Sequence, residues 1–265
     1  MKNIVKDTGT VVCAAFIAWV LTACVPFAIK QKEALVVHVA PWMQESESAP
    51  VFASPPQPGA ITPQDMETVE ESDSRTLLHD GEVLGRQRKF NEAIAYYDEI
   101  ERRYGGSDAP TIRRRAARAL FDKGNILAWQ GRFDASIAVH DTLQRRFGND
   151  ADPSIRESVA MSLSDKSAVL LRQRKPEQSL AVAADIERRY GMESSRTFRE
   201  ALVVTLVNKG AALGVLGSYQ AALAVFDDIE RRFGADTNPS IRSLLDMARQ
   251  GRAVVAENRD RAAGH

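Results

Sequence analysis

From about Pro63 onward, apolar residues return at the three- and four-residue spacing of an amphipathic helix, and no strand-like stretch is evident. One such run reads Gly124, Leu127, Gly131, Phe133, Ser136, His140, Leu143. Another reads Gly210, Leu213, Gly217, Tyr219, Ala222, Phe226, Ile229. Comparing the chain with itself gives an ungapped period of 43 residues. Arg102-Arg103-Tyr104-Gly105 returns as Arg145-Arg146-Phe147-Gly148, Arg188-Arg189-Tyr190-Gly191 and Arg231-Arg232-Phe233-Gly234. Leu84, Leu127, Leu170 and Leu213 keep the same register, as do Ala95, Ala138, Ala181 and Ala224, and Arg113, Arg156, Arg199 and Arg242. Four copies in register define a repeat protein.

Each copy predicts two helices. Asp152-Pro153 opens one of them, with aspartate as N-cap and proline in the first turn, where its missing N–H costs nothing. Ser195-Arg196 and Asn238-Pro239 stand at the equivalent points. The preceding helix ends in the paired arginines, where cations favour the helix terminus. The glycine after them is expected to close the helix in the left-handed conformation. Small residues should sit where helices cross, with Ala138 and Ala224 among them. The third copy departs most. Ser167 replaces a glycine, Arg174 the turn glycine and Pro176 the aromatic, so its hairpin turn is expected to be the irregular point.

These residues resemble the tetratricopeptide repeat family: a small residue on the first helix, a Gly-aromatic turn, then a small residue and an aromatic packing back from the second. Gly81, Leu84, Phe90, Ala93, Tyr97 and Ile100 match in the first copy. The unit is nine residues longer than the family's usual one, and glycine stands where a terminal proline is usual. The extra length, such as 151–159, reads as an extension of each first helix. The resemblance implies an all-α, right-handed α-solenoid of four helical hairpins (about 67–109, 110–152, 153–195 and 196–238), with 239–257 as a capping helix and 258–265 as a tail. It also implies a concave side that binds peptides or protein segments.

The first helices should line that side. In the first two copies this gives Arg75, His79, Glu82 and Arg86, then Arg118, Asp122, Asn125 and Trp129. The last two give Met161, Ser164, Ala168 and Arg172, then Val204, Val207, Ala211 and Val215. Arg118, Asn125, Trp129, Met161 and Arg172 are the candidate peptide-binding residues, with Trp129 either a groove anchor or packed between hairpins. The Lys and Asn set with which some family members grip a C-terminal carboxylate is missing, only Asn125 being suitably placed. The apolar last set offers a second possibility, a homo-oligomer formed through the C-terminal groove.

The N-terminus adds a membrane. Lys2 and Lys6 precede an uncharged, mostly apolar stretch at 8–29. Two readings stand. The stretch can cross a bilayer as a single-pass anchor, or it can be a signal peptide ending in Leu21-Thr22-Ala23-Cys24. That tetrapeptide resembles the bacterial lipobox, which implies lipidation of Cys24 and attachment in the bacterial cell envelope. Residues 30–62 read as a linker, proline-rich from 41, although 33–43 (EALVVHVAPWM) is more apolar than a tether needs and can dock on the repeats or on a membrane.

Charge and chemistry narrow the function. Residues 33–74 hold eight acidic and no basic residues; from Arg75 on, 31 Lys and Arg stand against 26 Asp and Glu. That small, dispersed surplus argues against nucleic acid. Cys13 and Cys24 are the only cysteines, leaving the folded part without a disulfide or thiolate nucleophile, and His38, His79, His140 and His265 have no ligand-like spacing. No phosphate loop or nucleophile–base set is evident. The expectation is a non-enzymatic binding module without metal or cofactor, its partner a protein or peptide.

Overall fold

A computed structural model describes residues 63–263, and all the regular elements among them are α-helices. They are α1 (Pro63–Arg86), α2 (Phe90–Tyr104), α3 (Pro110–Trp129), α4 (Phe133–Phe147), α5 (Pro153–Arg172), α6 (Pro176–Tyr190), α7 (Arg196–Val215), α8 (Tyr219–Phe233) and α9 (Pro239–Ala263). Successive helices pair into four hairpins, and each first helix also packs on the first helix of the next hairpin. The result is an all-α solenoid closed at its C-terminal end by α9. The 8–29 stretch and Cys24 lie outside the described residues, and no described helix is long and apolar enough to cross a membrane.

Helix starts follow the sequence punctuation. Asp152 accepts the backbone N–H groups of Ser154 and Ile155, Asn238 accepts that of Ser240, and Ser195 caps Phe198. Helix ends do not follow it. Gly105, Gly148, Gly191 and Gly234 are right-handed, with φ between −60° and −57°. Glycine is needed there for space, because a Cβ would run into the carbonyl oxygen four residues back.

The left-handed closure falls at the hairpin turn instead. Gly131 (φ 75°) and Gly217 (φ 73°) end α3 and α7, and Arg88 (φ 63°) and Arg174 (φ 58°) do the same for α1 and α5. The third turn is therefore regular. Arg174 N–H donates to Leu171 O and Lys175 N–H to Leu170 O, matching Gly131 to Ala128 and Arg132 to Leu127. These paired bonds satisfy carbonyls that the helix end would orphan, and an arginine can be forced into the left-handed region to make them.

The third hairpin also explains its own missing glycine. A Cβ on Gly81 would stand 2.7 Å from the Tyr97 ring, one on Gly124 2.5 Å from His140, and one on Gly210 2.6 Å from Phe226. The residue facing Ser167 at that register is Ala183. With the ring gone, the crossing has room for a side chain, and the Ser167 hydroxyl lies 2.8 Å from that of Ser179. The small residues on the second helices are Ala93, Ser136, Ser179 and Ala222, each fully buried. Ala138 and Ala224 are exposed, so the small residues of the crossing lie two positions earlier than expected.

Repeats are joined by two recurring contacts. Arg113, Arg156 and Arg199 each reach an acid in the following inter-hairpin loop (Asp150, Glu193, Asp236). The second arginine of each pair reaches the other way. Arg146, Arg189 and Arg232 donate to the carbonyls of Gly105, Gly148 and Gly191 in the preceding repeat. Each also lies about 5 Å from the aromatic ring that follows it. The arginine pairs thus cap their neighbour's helix end rather than only their own.

Candidate functional site

The inner face changes character along the array. Helices α1 and α3 run parallel: Arg115 Nη1 donates to Glu71 O (2.9 Å) and Ser74 Oγ (3.0 Å), and further along Arg118 approaches Glu82 (3.7 Å). Beside them opens a groove of about 380 Å³ whose walls include Leu78 on α1, Phe121 on α3 and Met161 on α5. Arg114, Arg115 and Arg118 border that apolar floor, and Glu157 adds one acid.

The arginines are held differently. Arg114 pairs with Asp152 at 2.7 Å. Arg118 pairs with Asp122 at 2.7 Å and lies 5.5 Å from the centre of the Phe121 ring. Among the described residues, Arg115 alone of the three is hydrogen-bonded only to neutral acceptors, one carbonyl and one hydroxyl. Arg114 and Arg115 follow directly on the first turn of α3, the end where the helix dipole disfavours cations, and Ala109 provides no side-chain cap. The equivalents of Arg114 and Arg115 are Glu157 and Ser158 in the next repeat, then Glu200 and Ala201. The basic cluster is therefore not part of the repeat's own framework.

Asp122 sits at the foot of this surface. Burial pushes its carboxyl up to about 6, with Glu82 adding to the shift and the Arg118 guanidinium opposing it. Burial and the Asp122 and Glu82 charges likewise push the Tyr97 phenol up.

Of the residues expected at the site, the structure brings Arg118 and Met161 together in the groove. Asn125 is half-buried further along α3. Trp129, which ends that helix, is 40% exposed. Arg172 is half-buried, with its guanidinium 4.4 Å from the Phe133 ring centre and 3.4 Å from Ala128 O, at the hairpin-turn edge beside Trp129. Ser164, Ala168, Val204, Val207 and Ala211 are not groove residues. They are buried where α5, α7 and α9 pack side by side, which removes the apolar C-terminal groove. Of that set only Val215 is exposed.

Leu78, Arg114, Arg115 and Phe121 were missed. The signal was present as Arg113-Arg114-Arg115 at a helix start, a placement that helix energetics does not favour. Among the described residues no group of three or more His, Cys, Asp or Glu is placed to hold a metal ion. Comparison with known proteins returns no matching family model, no matching curated protein and no matching solved structure.

Proposed function

We propose that the chain is a non-enzymatic scaffold of the tetratricopeptide repeat type, held at the bacterial cell envelope by its N-terminus, that binds an extended protein segment along α1, α3 and α5. The observation that carries this reading is the groove itself: an apolar floor of Leu78, Phe121 and Met161 beneath Arg114, Arg115 and Arg118. Apolar side chains there give a partner area to bury, and forked guanidinium groups at the rim fix its orientation. The 43-residue repeat and its all-helical stacking agree with this use, and a lipidated Cys24 or an uncleaved anchor at 8–29 would supply the membrane.

Affinity isolation of the full-length protein from solubilised envelope membranes tests the proposal. The wild type should carry a discrete set of proteins that falls at least tenfold in Arg114→Glu/Arg118→Glu while the helical circular dichroism is unchanged. Identical sets from both would overturn it.

A further inference from the structure

We infer that the groove has an occupant within the same chain, the apolar segment 33–43 with Glu45 and Glu47 directly after it. The inference rests on the groove being a segment-binding site, as proposed above. Three observations carry it, namely the order of chemistry along the groove, the order along the tether, and the reach between them.

Pro63 starts α1, so a segment that returns to the groove arrives from the N-terminal end of that helix and runs antiparallel to it. Arg115 meets α1 at Glu71 and Ser74, nearer that end, while the apolar floor lies one to two turns further on, at Leu78 and Phe121. An arriving segment therefore meets cations first and apolar surface second. Read backward from Pro63, the tether presents a proline-rich spacer, then Glu47 and Glu45, then Met43, Trp42 and the remaining apolar residues of 33–43. The two orders agree.

The spacings agree as well. Glu45 is three residues from Trp42, about 10 Å in an extended chain. Arg115 is six residues from Phe121, about 9 Å along a helix. The chain between Glu47 and Pro63 holds 15 residues, which in a polyproline-type extension span roughly 46 Å. From Pro63 to Arg115's partner Ser74 is 11 helical residues, roughly 17 Å, so the spacer reaches with slack. Charge favours the pairing. Among the described residues Arg115 has no anionic hydrogen-bond partner, the Glu71 charge acting on it only from beyond hydrogen-bond distance, and residues 33–62 contain three acids and no Lys or Arg. A tether bound in this way makes any other protein segment compete with a neighbour held at high effective concentration.

A photoreactive benzoylphenylalanine in place of Trp42 of the full-length chain provides the test. The expected result is a cross-link within one molecule, mapped to peptides of α1, α3 or α5. Its yield should fall at least fivefold in Arg115→Glu, and also in Glu45→Arg/Glu47→Arg, a change that touches no described helix. Combining Glu45→Arg with Arg115→Glu should restore part of the yield. Cross-links to lipid, to a second copy or to other faces of the solenoid would overturn the inference, as would a yield indifferent to these charges. If no internal cross-link forms while Arg114→Glu/Arg118→Glu still releases other proteins, the occupant is wrong and the groove's function stands.

Discussion

The two ends of the inner face share one register and have opposite fates. Arg75, Arg118, Met161 and Val204 stand 43 residues apart on the first helices, and burial rises along the series: exposed, exposed, half-buried, buried. The next inward column, His79, Asp122, Asp165 and Asn208, closes in the same order. Long charged side chains on α1 and α3 keep that face open to water. Small and apolar ones on α5 and α7 let the first helices pack side by side, with α9 against the last of them. Position in the repeat decides where a side chain points, and the neighbours packed around it decide whether that place is groove or core: Asp122 and Asp165 share type and register, and only Asp165 is buried. Among the described residues, the N-terminal half of the inner face is the part that stays exposed.

Importing the open half's residue into the closed half is the strongest way to break this contrast. Val204→Arg places at the buried position the guanidinium that is half-exposed at Arg118, with no partner charge provided. A loss of roughly 3 kcal/mol or more is expected in denaturant unfolding, with the midpoint of the C-terminal hairpins falling first. A stability within 0.5 kcal/mol of wild type, on the order of a neutral surface change, would mean that the closed half is not closed.

Hairpin interiors should respond alike in both halves, because the contrast concerns only the inner face. Gly210→Ser drives a side chain into the Phe226 ring and is expected to cost roughly 1–3 kcal/mol. Combined with Phe226→Ala it recreates the Ser167–Ala183 pair of the third hairpin. The double variant should then lose less than the sum of the single changes by about 0.5–3 kcal/mol. Strict additivity would break the account of why the third hairpin lacks its glycine.

A third effect distinguishes the second hairpin from the fourth. His140 occupies the slot held by Phe226, with Nδ1 2.8 Å from Ser162 Oγ, and burial, aided by Lys166, pulls its imidazole down to about 4. The unfolded chain therefore takes up the proton first as pH falls. The stability contributed by neutral His140 is complete above about 6.5 and is lost between there and 4, at a limiting slope of about 1.4 kcal/mol per pH unit. His140→Phe should flatten that part of the pH profile without moving the rest. An unchanged profile would show that His140 does not titrate with unfolding.

The smallest effect belongs to the turns. Arg174→Gly removes a side chain from a left-handed backbone and should stabilise by about 0.5–1 kcal/mol, as should Arg88→Gly, whereas Gly131→Arg should do the reverse. Equal effects at α1 and α5 would confirm that the turns, unlike the inner face, do not differ between the halves.

Much of this was legible in the sequence, and the failures share a cause. The hairpins and the caps at Asp152, Ser195 and Asn238 depend on contacts within a single repeat, which periodicity reports directly. The errors concern residues whose role is set by another helix. Gly105 reads as a left-handed terminator, but glycine there leaves room beside the Glu101 carbonyl, and Gly105's own carbonyl is taken by Arg146 of the next repeat. Ala138 kept perfect register and is exposed. Val207 and Ala211 looked like groove because the pattern gives the direction of a side chain but not how closely α9 approaches it. Register alone places Arg118 and Met161 on the groove wall, while Arg115 stands out only through its contacts with α1.

The most direct test of the account places a small aliphatic diazirine at Met161 and, separately, at Val204 in the full-length protein in cells. With the binding face on the N-terminal half, Met161 should yield a discrete adduct with another protein that Arg114→Glu/Arg118→Glu abolishes, and Val204 should yield only internal cross-links. Equal adducts at both positions, or a protein adduct at Val204 alone, would contradict it.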